Sequence, residues 1–344
     1  SSYLGANLRG KAGSTPLALQ LMCSWKDVAL GTLTGVAGLW GAGSVLQLHA
    51  EIVRRQAKYE NYPQYQDLLI TLLACLVLVL VQLLFRRCFA DIARSVMPKK
   101  ARWSMLVWDV KVVRCCDSGF KCAFYLTSTV LGFLALREES WMPWALGGSG
   151  STKHCWTDGY PAQVMSAPLK HYYLITLGFQ LSEVVLLFSE TRHPDFVEML
   201  LHHIVTCFLV CFSYLLNYVR IGSLVMLLHG AADIFIYASK TFVDTYFKRL
   251  SIVCYVALVL AYAWFRIYVY PVHVMRSAWV ESAAEAGPSL HAWGFFNFAL
   301  WVLLLLHMYW FGLVLKIGMQ FQRTGEARDL QSNLSRMELH KKAS

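Results

Sequence analysis

Four residues in one apolar stretch are equipped for proton transfer or nucleophilic attack: His202, His203, His229 and Asp233. They lie in LLHHIVTCFLVCFSYLLNYVRIGSLVMLLHGAADIFIYASK, residues 200–240, two runs of membrane-spanning length broken by an Asn-Tyr-Val-Arg turn. Ionisable side chains at bilayer depth are costly and usually face a protein interior, where they mark a functional site. Side chains three or four apart share a helix face, so His202 lies over Thr206 and His229 over Asp233. A carboxylate one turn beyond a histidine is expected to take a hydrogen bond from one ring nitrogen and fix the tautomer. The other nitrogen is then free as base or nucleophile. His202 and His203 sit about 100° apart around the helix axis, so both reach one cavity only from its two edges.

A packing histidine bonded to a backbone carbonyl is the bland alternative for any one of these rings. Three histidines and an aspartate on consecutive spans argue against it. Metal ligation is a second alternative, but membrane di-iron enzymes carry several HxxH or HxxHH clusters and this chain has none, so no metal is expected. His193 is followed by Pro194 and falls off the helix face of His202 and His203. Glu183 is a further acid within an apolar run. Lys240 sits at the end of another, where its ammonium can snorkel to the interface. No GxSxG, Walker or Rossmann glycine pattern is present, which removes the common hydrolase and nucleotide-binding classes.

The elements that hold these residues are membrane helices. Of 344 residues, 57% are hydrophobic and 15% charged, against about 25% charged in an ordinary soluble domain. The apolar residues come in blocks near the ~20 needed to cross a bilayer. The expectation is an all-α, polytopic helical bundle of seven spans: 68–85, 119–136, 172–188, 197–216, 221–238, 252–270 and 293–315. The glycine-rich stretch 28–48 would be an eighth span or an interfacial helix. Residues 86–114, with Arg86, Arg87, Arg94, Lys99, Lys100, Arg102, Lys111 and Arg114, read as a basic cytosolic loop. Basic residues then recur on the same side through Lys240, Lys248, Arg249 and the tail, which puts the C-terminus in the cytosol. The net charge of +10 is thus topogenic and lipid-facing, not a nucleic-acid footprint. Ten cysteines show no CxxC pair or regular spacing and read as small packing residues.

Several polar landmarks recur in an order that hydrophobicity alone does not produce. They are RCCDSGFKCAFYLTS from Arg114, HCWTDGYP from His154, LKHYYLITLGF to Phe179, DFVEMLLHHIVT, FSYLLNYVRIGSLVMLLHGAAD, AWFRIYVYPVHV and NFALWVLLLLHMYWFGLVLKI to Ile317. The run resembles the TLC domain of ceramide synthases. Hydropathy, charge and that resemblance together divide the chain into an N-terminal segment with a possible interfacial or extra membrane helix (1–66), a first span with its basic loop (67–113), the TLC domain (114–318) and a cytosolic tail (319–344). It implies a sphingoid-base N-acyltransferase that uses fatty acyl-CoA as co-substrate, with no other cofactor, and His202, His203, His229 and Asp233 as catalytic residues. Glu183, Arg192, Asp195 and Lys240 are expected to bind substrate. The endoplasmic reticulum is the expected membrane, and the terminal Lys341-Lys342-Ala343-Ser344 resembles a dilysine retrieval signal. Membrane lipids are expected partners; working alone, as a homodimer or with a regulatory subunit are all compatible with the sequence. One departure stands out: the family aspartate that follows the third histidine is Gly230 here. Gly230→Asp is therefore expected to preserve or raise activity, and a non-catalytic lipid-binding or lipid-sensing TLC protein is the alternative reading.

Overall fold

A computed structural model describes residues 42–100, 103–157, 159–189, 196–287 and 290–324. Arg192 and Asp195, the dilysine-like terminus and the stretch 28–41 lie outside the described residues. The chain divides into two compact units, Ser1–Glu51 and Ile52–Ser344. Helix α1 (Ala42–Lys58) straddles their boundary, and everything below concerns the second unit.

The described residues are helical, as the apolar blocks require: α2 (Leu68–Val96), α3 (Met105–Leu136), α4 (Ala167–Ser189), α5 (Phe196–Leu215), α6 (Val219–Phe242), α7 (Lys248–Tyr262) and α8 (Trp293–Thr324). Among the described residues six stretches are long and apolar enough to cross a membrane, and α5 contributes a shorter apolar run, Met199–Leu215. The seven expected spans therefore correspond to seven helices in the expected order. Their lengths differ from expectation in two places. The basic segment 86–114 is mostly helix: α2 runs on through Arg86, Arg87 and Arg94, and α3 begins at Met105, where Ser104 Oγ accepts from Val107 N. Charge marked the end of the membrane, not the end of the helix, because straight-chain residues such as Arg and Lys are good helix formers in water. The sixth span does not stop at Tyr270 either. Beyond α7 it continues through π-helical turns (Ala263–Met275 and Ser277–Glu281) to Ser282–Glu285. Pro271, lacking an N–H, sits inside the wide stretch, where i→i+5 pairing relieves the clash a proline makes in a tighter helix.

The helices pack as neighbours in two pairs that frame the site: α3 runs along α6, and α2 along α4. At Gly178 an added Cβ would lie 2.7 Å from Ala74 Cβ and 2.8 Å from Thr71 O, so glycine lets the α4 backbone touch α2. Polar pins fix both ends of the bundle. At one end Asp67 accepts from Lys170 Nζ (2.6 Å) and Tyr214 Oη (2.7 Å), joining the starts of α2 and α4 to the end of α5. At the other, Arg86 makes a two-point ion pair with Asp117 (both 2.9 Å), and Asp244 meets Lys111 (2.7 Å) and Lys100 (3.3 Å). Asn217, in the left-handed region (φ 58°) between α5 and α6, donates to Pro161 O and Gln163 O and so anchors the 137–166 loop.

Candidate functional site

A cavity of about 510 Å³ runs through the bundle between these ends. At the basic end its wall includes Lys111, Arg114, Lys240 and Asp244. His202, His203, His229 and Asp233 all line its middle, so the structure brings the four sequence-flagged residues together. Toward the opposite end the wall turns to Tyr173, Val210, Ile221, Leu300 and the aromatic rings Trp156, Tyr218 and Phe296.

α5 presents His202 and His203 as adjacent residues with ring centroids 5.5 Å apart. His202 is half-buried and meets the Trp310 ring edge-on at 5.1 Å. His203 is buried, and its Nδ1 has no hydrogen-bond partner. Both rings do reach one cavity, as expected, from two edges of the helix.

The expected His229–Asp233 pairing does not form. His229 Nδ1 instead donates to Val225 O, one turn back on α6 (2.7 Å). With the proton on Nδ1, a neutral ring leaves Nε2 as an acceptor. His307 Nε2, 2.9 Å away on α8, supplies the donor. His307 is fully buried and is boxed in by the rings of Tyr262 and Tyr270. Asp233 pairs with Arg266 on the extension of α7, at 2.5 Å between Oδ1 and Nη2. Both partners are largely buried, and a guanidinium fork is the better match for a desolvated carboxylate than a single ring N–H. The imidazole therefore takes the backbone carbonyl and the carboxylate takes the arginine.

Glu183, expected to bind substrate, lines the cavity and forms an ion pair with Lys121 of α3. Its Oε2 is engaged, while Oε1 is buried without a partner. Lys121 also stands over the Tyr237 ring (5.6 Å), and Tyr237 stacks on Tyr125 (5.5 Å, 9°). Lys240 is exposed at the cavity mouth with its ammonium over Tyr237 as well (5.6 Å), consistent with a snorkelling side chain. Among the described residues no group of three or more His, Cys, Asp and Glu side chains is arranged to hold a metal ion.

Gly230 also lines the cavity. A Cβ added there would lie 2.8 Å from Thr129 Oγ1 of α3, a buried hydroxyl that has no partner. An aspartate at 230 fits only if Thr129 turns away. The expectation that Gly230→Asp preserves or raises activity thus depends on whether Thr129, on the facing helix, gives way.

Sequence reasoning missed Arg266, His307 and Lys121. The signal that would have found them is the one that found His202, an ionisable side chain in the middle of an apolar span. AWFRIY, LLLLHMYW and GFKCAFY carry that signal just as LLHHIV does.

A family model described as the TLC domain matches residues 114–316. The match covers more than half of the chain, so this protein belongs to the TLC-domain family. Among curated proteins, the chain is similar to "Ceramide synthase 4" of Bos taurus, 34% identical over 224 residues, covering 65% of this chain and 55% of that protein. "Ceramide synthase 4" of Homo sapiens is 33% identical over 220 residues, 64% of this chain and 54% of its own length. The chain thus spans about half the length of these two relatives. "Ceramide synthase 1 LOH3" of Arabidopsis thaliana is 28% identical over 294 residues, 80% of this chain and 93% of that protein.

Proposed function

We propose that the protein is an acyl-CoA-dependent sphingoid-base N-acyltransferase, a ceramide synthase. The observation that carries the reading is the single cavity that joins a basic mouth to a long apolar end, with His202, His203 and His229 at the junction. The names of the relatives support it. Acyl-CoA has the matching polarity: phosphates at one end, a hydrocarbon tail at the other and the reacting thioester between them. The basic end faces the cytosol, where acyl-CoA arrives, in the endoplasmic reticulum membrane with a cytosolic C-terminus. Lys240 meets the polar part of the co-substrate, and Arg192 and Asp195, outside the described residues, are proposed for the same role.

In the reaction His202 attacks the thioester carbonyl, forming a C–N bond as the C–S bond breaks, and CoA leaves as a thiolate, later protonated by the proton that His203 takes from the amine. The sphingoid amine then attacks the acyl-imidazole, the C–N bond to His202 breaks, and the amine's proton passes to His203. Splitting one hard transfer into two easier ones is the gain of covalent catalysis. His203 suits the base role because its buried Nδ1 has no protein partner. His229, held by Val225 O and His307, presents a fixed ring to the reacting carbon, and the Asp233–Arg266 pair keeps the charge beside it balanced. Glu183 Oε1, the unpartnered acceptor on the cavity wall, takes a hydrogen bond from the amine or hydroxyls of the sphingoid base. Partners are fatty acyl-CoA, a sphingoid base and membrane lipids, with a homodimer or a regulatory subunit as the oligomeric states to examine.

Membranes containing the protein, given acyl-CoA and sphinganine, are expected to form the amide. His202→Ala and His203→Ala each lower the rate by at least about 100-fold, the order expected when a nucleophile or base is removed. A protein that binds both lipids yet forms no amide with any chain length would instead be the non-catalytic lipid binder, the reading that Gly230 favours.

A further inference from the structure

Between the end of α2 and the first turns of α3 lies a cluster rich in hydrogen-bond donors. Trp103 and Trp108 pack there with Met97, Val107, Val112 and Cys115. Both indoles are buried, and neither Nε1–H has a hydrogen-bond partner among the described residues. Ammonium groups stand over both rings: Lys100 (4.5 Å) and Lys111 (4.7 Å) over Trp103, and Lys99 (4.6 Å) over Trp108. Asp244 is shared between two of these cations, accepting from Lys111 Nζ (2.7 Å) and Lys100 Nζ (3.3 Å). It sits in the turn after α6, which Tyr246 N ties to Val96 O at the end of α2 (3.0 Å). Met97, Lys111, Cys115 and Asp244 line the cavity, so the cluster borders its basic mouth.

We propose that this cluster is a phosphate subsite in which Asp244 is a resident counter-ion, displaced from Lys100 and Lys111 when the diphosphate of acyl-CoA arrives. The inference rests on the N-acyltransferase reading for the source of the phosphate and adds the site and its placeholder. One carboxylate between two ammoniums leaves the triad with a surplus positive charge and leaves both indole donors unused. A diphosphate carries more charge and more acceptor oxygens, so it can satisfy the ammoniums and reach for an indole N–H as well. An acid in such a site has a physical reason. Without a ligand, two ammoniums held over one ring would repel each other, and Asp244 keeps them in place until they are needed. Lysine suits the exchange because its ammonium is a point charge on a flexible stem and can change partners.

The separation from the imidazoles fits this occupant. From His229 to Phe242, α6 rises roughly 20 Å at ~1.5 Å per residue, and Asp244 lies just past its end. The pantetheine arm of CoA has about thirteen bonds from sulfur to the nearer phosphorus, and an extended chain advances ~1.2 Å per bond, or roughly 16 Å in all. A thioester beside His202 and His229 thus brings its diphosphate to the level of the last turn of α6. A lysine side chain covers the few ångström that remain.

Calorimetric titration of the full chain in phosphatidylcholine nanodiscs tests the site with two probes: CoA, and pantetheine, which has the arm but no phosphate. Lys111→Met should weaken CoA about 10-fold, the scale of one charge-assisted hydrogen bond. Asp244→Asn should do the opposite and tighten CoA roughly 3- to 10-fold, because the competitor for both ammoniums is gone. Pantetheine should respond to neither. If folded Asp244→Asn binds CoA no better than wild type, Asp244 is a structural latch and the proposal fails. Thermal unfolding in the same nanodiscs checks each variant. Where Asp244→Asn does not fold, Lys100→Met decides, since it leaves Asp244 with Lys111: weaker CoA supports the subsite and unchanged CoA overturns it. Replacing part of the phosphatidylcholine with phosphatidate should leave the ratio of the wild-type and Lys111→Met affinities as it was. If that ratio collapses to one, a lipid headgroup holds the site and the CoA assignment falls. The expected CoA responses without any amide formed from acyl-CoA and sphinganine would leave the subsite standing and count against the N-acyltransferase reading. Amide formation with CoA affinity indifferent to all three variants would do the reverse.

Discussion

From the histidines toward the basic mouth, the cavity wall carries Lys111, Asp117, Lys121, Glu183, Lys240 and Asp244. From the histidines to the opposite end it carries, among the described residues, no Asp, Glu, Lys or Arg. The charged half is held by ion pairs between neighbouring elements: Arg86 with Asp117, Lys111 with Asp244 in the turn after α6, Lys121 with Glu183 and Arg266 with Asp233. The apolar half is held by ring packing and by hydroxyl, indole and amide groups that donate into the frame, as in Tyr173 to Ser213 (2.5 Å). The difference is one of tolerance. A wall of packed rings can change size by one side chain and keep its chemistry, because volume changes in a core are graded. A buried ion pair cannot be altered on one side alone without leaving a charge uncompensated. On the proposed reading, the reacting groups border the half that resists change, and the apolar half is the one that tolerates substitution.

That contrast can be broken at several points beyond the two histidine variants, which carry the largest expected loss. Arg266→Met strands Asp233 in a buried site, and thermal unfolding in detergent should show destabilisation of roughly 3–5 kcal/mol. The double variant Arg266→Met with Asp233→Asn should recover most of this, because the charge is removed with its partner. If the single variant proves as stable as wild type, the charged half is as forgiving as the apolar one and the contrast fails. Gly230→Asp comes next. It should lower activity about 10-fold, the scale of a local misplacement beside the reacting groups. Adding Thr129→Ala should bring activity back by clearing the hydroxyl that an aspartate Cβ would meet at 2.8 Å. Full activity in Gly230→Asp alone would mean that Thr129 yields freely. The smallest effect belongs to Lys240→Gln at the exposed mouth. It should raise KM for acyl-CoA two- to five-fold with little change in kcat, and the effect should fade with added salt, since screened surface charges contribute little. A drop in kcat instead would move Lys240 from binding into the reaction.

Much of this was legible in the sequence for a physical reason. A bilayer forces apolar blocks, and against that background an ionisable residue such as His202, His229 or Asp233 stands out without any structure. The same contrast fails for pairing. Both His229 and Asp233 were visible, but their partners, His307 and Arg266, lie far along the chain, and helix spacing offered a nearer and wrong match. Arg86 and Lys111 were visible too, as topogenic charge. That Arg86 also holds Asp117 on α3, and Lys111 holds Asp244 just past α6, depends on how far α2 and α3 extend past the apolar block, which composition does not encode. The extension of α7 past Tyr270 was hidden because Pro271 normally argues for a break.

That extension has a consequence for how the two halves stay in phase. Arg266, beside the imidazoles, and Ala278, in the apolar part of the cavity wall, ride on the same continuous helix, separated by wide turns around Pro271. A wide turn holds one residue more than an ordinary one, so it works as a phase shifter between two faces of a single rod. If the stretch closed into ordinary i→i+4 turns with its residue count unchanged, everything beyond it would rotate about the helix axis. With Arg266 still clamped to Asp233, Ala278 would then swing off the cavity wall. Pro271, which cannot donate and clashes in the tighter ladder, opposes that change and helps keep Ala278 in phase with Arg266.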